Sequence, residues 1–292
     1  MKQALVYKKV DNKKIQCKTC SQFCLIGLNE FGLCGVKKNI DGELYSLNYG
    51  KIIAENIDPI EKKPLCEFMP GTKTYSIASA GCNFECANCQ NWQISQSPKI
   101  NKVIPGQEIP PEEIIKKTIS SNCPSISYTY TEPTISVEFF LEIMKLARKN
   151  NLKNIWVTNG FMSQETLKSI IPFLDAVNVD LKSFDNGFYE KYCQGKLYPI
   201  LENLKEMRKN NIWIEITTLI IPGLTDKKKM LKKLALFIKT ELGENTPWHI
   251  SRFFPEISWK LRKLPYTPLK TIEKIEQIGL ECGLRHIYKG NI

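Results

Sequence analysis

From about residue 72 the chain alternates two patterns. Short β-branched or apolar runs are followed by longer stretches in which apolar residues recur every three or four positions. The pattern predicts strands over 75–79, 126–130, 155–158, 177–180, 212–221 and 248–253, with a closing strand at 286–288. Between them it predicts helices over 111–121, 134–150, 163–171, 198–210, 226–241 and 268–282. The second of these places Val137, Phe140, Leu141, Met144 and Ala147 on one face. The third opens on Ser163 as a cap, with Glu165 in its first turn. Residues 1–70 read differently. Short strand-like runs at 44–49 and 51–54 are broken by turn signals at Asp41-Gly42, Gly50 and Asp58-Pro59.

Strand–helix alternation of this kind implies parallel strands joined by right-handed crossovers. The fold class is therefore α/β. An open doubly wound sheet and a full or partial (β/α)6-type TIM-like barrel both satisfy it. Either way functional side chains gather beyond the strands' C-terminal ends. Cys82, Glu132, Asn159, Asp180, Lys182 and Arg252 all fall there. No glycine-rich dinucleotide fingerprint or phosphate loop is present. We divide the chain into a small β-rich, cysteine-containing N-terminal domain, 1–70, and an α/β domain, 71–292.

Composition changes this picture in two places. The net charge of +11 is spread along the chain, and runs such as Lys227-Lys228-Lys229 read as a solvated helix face. Nucleic acid is accordingly not the expected partner. No apolar run is long enough for a membrane span, and the first residues lack the apolar core of a secretory signal, so a cytoplasmic protein is expected. The cysteines carry more information. There are eleven, an odd number poorly suited to a disulfide framework, and seven cluster in two groups.

The second group is Cys82-x3-Cys86-x2-Cys89. Three thiolates at this spacing reach three corners of a cubane iron–sulfur cluster and leave one iron open for a ligand. The plain alternative, structural zinc, wants four closed ligands. The motif resembles the signature of the radical S-adenosylmethionine (SAM) superfamily. That resemblance implies a 4Fe–4S cluster whose open iron binds SAM, and reductive cleavage of SAM to a radical that abstracts hydrogen from a substrate. Further stretches extend the likeness. Tyr130-Thr131-Glu132-Pro133 stands where the family has Gly-Gly-Glu-Pro. Thr158-Asn159-Gly160 and Asp180-Leu181-Lys182 resemble segments of glycyl-radical activating enzymes, such as those of pyruvate formate-lyase. Cys89-Gln90-Asn91-Trp92, Tyr128 to Thr134, and Arg252-Phe253-Phe254-Pro255 resemble the radical SAM component of the AmmeMemoRadiSam system.

The resemblance implies SAM-binding roles for Glu132, Thr158, Asn159, Asp180 and Lys182. Lys182, Arg252 and His249 are the candidate catalytic residues. Each has a plainer reading: Glu132 as a helix cap, Asn159-Gly160 as a turn, Asp180 and Lys182 as a strand-end ion pair, His249 as a packed core residue, Arg252 as one half of a surface ion pair. Phe84 and Trp92 are expected to shield the cluster from water.

The first group, Cys17-x2-Cys20-x3-Cys24-x9-Cys34, supplies four thiols. Zinc and a second iron–sulfur cluster both accept such a set. The leading functional reading is a radical SAM enzyme, activating-enzyme-like, acting on a protein or peptide. A radical SAM enzyme acting on RNA or a small metabolite is the alternative enzyme, and a zinc-stapled binding module is the alternative without chemistry. The implied partners are an electron donor such as ferredoxin or flavodoxin, and, from the family name, Memo- and AMME-type proteins.

Overall fold

The structure, a computed structural model, describes all 292 residues. Its centre is an eight-stranded sheet of β1 (Ala54–Pro59), β2 (Lys73–Ala78), β3 (Ser125–Tyr128), β4 (Lys153–Thr158), β5 (Ala176–Asp180), β6 (Trp213–Ile220), β7 (Trp248–Arg252) and β8 (Ile287–Gly290). The strands lie in sequence order. All neighbours from β2 to β8 pair in parallel, and β1 runs antiparallel to β2. The two edge strands, β1 and β8, do not pair with each other, so the barrel is partial. Each crossover carries a helix: α1 (Pro111–Ser120), α2 (Val137–Lys149), α3 (Gln164–Ile170), α4 (Tyr198–Lys209), α5 (Lys228–Phe237) and α6 (Leu269–Glu281). No helix is long and apolar enough to cross a membrane.

The two faces of the sheet differ in chemistry. Tyr75, Ile77, Ile126, Trp156, Val179 and Ile216 pack with the apolar helix faces into a single large core. The opposite face carries Thr74, Ser76, Ser127, Asn178, Glu215 and Thr217, all buried. Thr74 meets Ser127 at 2.8 Å, and Thr217 donates to Asn178 Oδ1 at 2.9 Å. A buried polar lining is costly unless its groups are partnered, and here most are. It makes the inner face suited to a polar ligand rather than to further packing.

One end of the barrel is closed by the chain between β1 and β2. Ile60 and Leu65 pack on Ile155 and Ala176. Glu215, fully buried on β6, accepts the amides of Cys66 at 2.9 Å and Glu67 at 3.0 Å. The other end, beyond the C-terminus of β2, carries the Cys82 loop.

The N-terminal part holds two three-stranded antiparallel sheets. One contains Lys2–Gln3, Glu43–Ser46 and Lys37–Ile40; the other contains Tyr7–Lys9, Ile15–Cys17 and Leu25–Ile26. It is fastened to the barrel through a buried ion pair between Lys37 and Glu138 of α2. Asn48 adds a hydrogen bond to Ser136 at 2.7 Å. Strand β1 lies before residue 70 yet is hydrogen-bonded to the main sheet along its length, so the barrel reaches back into the N-terminal stretch.

Candidate active site

The loop after β2 turns at Gly81, whose φ of +110° is a conformation that glycine adopts readily. A Cβ there would also sit 3.0 Å from Ile135 Cδ1 and Val36 Cγ1. The loop then runs through Cys82, Cys86 and Cys89 under a cover of aromatic side chains. Phe84 is buried against Phe161, with ring centroids 5.0 Å apart, and its edge faces Tyr189. Trp92 stacks on Trp259 at 6.0 Å and 6°. Backbone bonds from Trp259 to Cys89 (3.1 Å) and from Lys260 to Ala87 (2.8 Å) hold the far side of the loop.

Burial pushes the thiols of Cys82 and Cys89 up from their ordinary values. Cys86 is raised first by contact with the thiol of Cys193 and then by burial. Cys193 lies over a hundred residues away in sequence, and no spacing argument points to it. It is fully buried, and its carbonyl accepts the Glu85 amide at 2.9 Å, so it backs the loop. Cys86 is buried and Cys82 and Cys89 are half-buried, and a metal centre bound there would displace their thiol protons. Three cysteines at this spacing suit a cubane, which seats its ligands at separate corners and leaves one iron open, whereas a structural zinc site wants a fourth ligand.

Glu132, Thr158 and Asn159 meet beside Cys82. The Glu132 carboxylate is buried and accepts the Thr134 amide at 3.0 Å, the Thr158 hydroxyl at 2.7 Å and the Asn159 amide at 2.8 Å. Burial raises its pKa, and these donors oppose the rise. The Asn159 side chain donates to Asn83 Oδ1 at 2.8 Å and points its amide at Cys82 Sγ, 3.9 Å away. Glu132 thus caps the turn that follows it and also joins the cysteine loop. Tyr130, where the sequence departs from glycine, takes φ +64°, a left-handed conformation uncommon for a residue with a side chain.

Lys182 lies on the Cys86 and Cys89 side. Its ammonium pairs with Asp180 at 2.8 Å. Burial opposes its charge, but Asp180 and the thiols of Cys86 and Cys193 outweigh that and hold its pKa well above the ordinary value.

His249 and Arg252 stand apart from this group. His249 Nε2 bonds Glu215 Oε2 at 2.6 Å, and its ring stacks on Tyr288, at the closed end of the barrel. The sequence offered it both as a catalytic candidate and as a packed core residue; in the structure it lies beside Glu215 at the closed end. Arg252 donates from Nε to the Thr267 carbonyl at 3.0 Å and lies over Phe254, so its partners are a carbonyl and a ring, not a surface acid.

A polar group that the sequence did not suggest lies on the β1 side of the barrel. Lys63 is buried, bonded to Asp58 at 2.6 Å, and its ammonium sits 4.3 Å from the centre of the Tyr130 ring. Tyr130 also bonds Asp58, and burial together with that carboxylate pushes the phenol up to about 12.

The model of the radical SAM superfamily matches residues 76–235, which hold the cysteine loop and strands β3 to β6. The chain belongs to the radical SAM superfamily. Its cofactors are accordingly a 4Fe–4S cluster and SAM. An uncharacterized protein of Methanocaldococcus jannaschii is 44% identical over the whole of this chain and 86% of its own length. The pyruvate formate-lyase-activating enzyme of Clostridium pasteurianum is 26% identical, over 75% of this chain and 84% of its own length. Among solved structures, a radical SAM methyltransferase from Sphaerobacter thermophilus superposes with a TM-score of 0.56 at 12% identity, covering 77% of this chain and 68% of its own. That likeness is one of fold.

Proposed function

We propose that this radical SAM enzyme holds its cluster on Cys82, Cys86 and Cys89 and acts on a protein or peptide, as an activating-enzyme-like oxidoreductase. The observation that carries the cluster assignment is the Cys82–Asn159–Glu132 contact chain, which links a buried carboxylate to the first thiol of the cysteine loop. When bound, the cluster and SAM supply a carbon-centred radical able to abstract hydrogen.

The chain's own residues prepare that chemistry. Glu132 is an anionic, hydrogen-bonded partner for the SAM ammonium, and a positive charge arriving there offsets the cost of burying the carboxylate. Thr158 and Asn159 fix its two oxygens. Lys182 brings a cation toward the Cys86 and Cys89 thiolates, and Asp180 holds it in place. Phe84 and the Trp92–Trp259 stack exclude water from the loop.

The substrate class draws support from the named relatives, several of which are glycyl-radical activating enzymes at 21–27% identity. It is tested with deuterated fractions of cell extract: peptides, nucleic acid and small metabolites. Deuterium appearing in 5′-deoxyadenosine from the peptide fraction is expected. Transfer from the RNA or metabolite fraction alone overturns it.

A further inference from the structure

The four N-terminal cysteines take no part in the site just described, yet the fold brings them together and against it. Cys17 and Cys24 face each other across a hairpin, the Cys17 amide bonding the Cys24 carbonyl at 2.9 Å. Cys20 lies in the turn between them, and Cys34 comes from the next loop. Cys17, Cys20 and Cys34 are buried, while Cys24 keeps an open edge. The Leu33 amide is aimed at Cys24 Sγ, 3.5 Å away, and the Thr19 hydroxyl lies 3.5 Å from Cys17 Sγ. All four are free thiols. Burial raises each of them, and each is raised further by at least one other member of the set. The hairpin bond between Cys17 and Cys24 and the Leu33 contact to Cys24 Sγ draw the four thiols into one small region. Four such thiols can hold zinc or an iron–sulfur cluster, and what the group adjoins favours the cluster.

The group also adjoins the active-site loop. The Cys34 carbonyl lies 3.3 Å from where a Cβ on Gly81 would stand, next in sequence to Cys82. Cys20 forms a β-bridge with Met162, and Ser21 and Thr19 bond the backbone of Phe161 and Ser163. Gln22 donates to the Asn83 carbonyl at 3.0 Å. Lys99 donates to the Phe84 carbonyl at 2.8 Å, and its ammonium is near enough to both Cys24 and Cys82 to favour their thiolates. One flank of the group thus meets solvent at Cys24, and the other meets the Cys82 loop through Cys34 and Gln22.

We propose that Cys17, Cys20, Cys24 and Cys34 hold a second iron–sulfur cluster, and that it is the entry point for the electron delivered to the Cys82, Cys86 and Cys89 site. A reduced, low-potential one-electron carrier of the flavodoxin or ferredoxin class is oxidised at the Cys24 side. Its electron passes to the N-terminal cluster and on across the Cys34–Gly81 contact, and no bond is made or broken. The relay, though not the presence of the second cluster, rests on the proposed cluster at Cys82, Cys86 and Cys89.

The test separates the two. The Cys82→Ala/Cys86→Ala/Cys89→Ala variant is reconstituted anaerobically with iron, sulfide and zinc all present, then analysed for metals and by EPR after dithionite. Bound iron with a cluster signal and no zinc is expected; zinc, or no metal, overturns the second cluster whatever happens at Cys82. The relay is read in Cys24→Ala, chosen because Cys24 is the least buried of the four. Its fold is checked by circular dichroism and by retained iron at the Cys82 site. Reduction of that remaining cluster by reduced flavodoxin, followed by rapid-freeze EPR, is expected to slow at least tenfold against wild type. An unchanged rate overturns the relay.

Discussion

The backbone N–H of Asn159 donates to the Glu132 carboxylate at 2.8 Å, tying the end of β4 to the turn after β3. The same residue's side chain faces Cys82. Three strand ends are thereby locked into one arrangement, and a buried acid is left beside the cysteine loop. Replacing Glu132 by Gln keeps most of these hydrogen bonds and removes the charge. SAM affinity of the reconstituted protein is expected to fall about tenfold, equivalent to about 1.4 kcal/mol, with cluster content unchanged. Isothermal titration beside iron analysis reads both.

Gly195 lies so close to Phe84 that a Cβ would stand 2.2 Å from its ring. The ring is pinned from behind by Phe161 and Tyr189, so it cannot retreat without opening the loop. Gly195→Ala is expected to cost about 1–3 kcal/mol, as overpacking does, and to leave the assembled cluster more sensitive to air. Thermal denaturation and the rate of cluster bleaching under oxygen check the two parts.

Glu215 is buried and would by that alone be hard to ionise. Bonds from His249, the Cys66 and Glu67 amides and Trp213 outweigh the burial and hold its pKa below the ordinary carboxylate value. A depressed carboxyl contributes stability that is present above the unfolded value, near 4.3, and is lost as pH falls through the folded one. Glu215→Gln is therefore expected to destabilise wild type at neutral pH by roughly 3 kcal/mol, with the difference shrinking below about pH 4. His249→Phe is expected to lose stability while retaining SAM cleavage per folded molecule, because His249 sits at the closed end. Urea unfolding across pH and a cleavage assay at matched folded fraction decide both.

Lys37 and Glu138 are buried as a pair between the N-terminal sheets and α2. Removing one partner strands the other: Glu138→Ala is expected to cost about 3–5 kcal/mol. The double change Lys37→Met/Glu138→Leu is expected to restore much of that loss. Chemical denaturation of the three variants forms the comparison.

The barrel was legible because its signals are local. Apolar periodicity located β2 to β8 and the six crossover helices to within a few residues, and Ser163 caps α3 as its sequence suggests, accepting the Thr166 amide at 3.0 Å. The sequence Ala54–Pro59 has neither alternation nor an apolar run; only pairing with β2 makes it a strand. The same limit applies at the site. Cys82, Cys86 and Cys89 sit within one short motif, and Glu132 and Asn159 stand at strand ends, where the fold class points. Cys193 against Cys86, Lys63 with Asp58 and Tyr130, and Glu215 with His249 are meetings of residues distant in sequence, which no spacing encodes. A histidine on a strand looks the same in sequence at either end of a barrel. Its bond to Glu215 is what locates it at the closed end.

The central claim is that Cys82, Cys86 and Cys89 hold the cluster at which SAM is cleaved. It is tested most directly by anaerobic reconstitution, reduction with dithionite and addition of SAM, with 5′-deoxyadenosine and the EPR signal followed together. The account predicts deoxyadenosine and a SAM-dependent change of signal from wild type, and neither from the Cys82→Ala/Cys86→Ala/Cys89→Ala variant. Equal deoxyadenosine from both proteins, or a wild type that takes up zinc and leaves SAM intact, would contradict it.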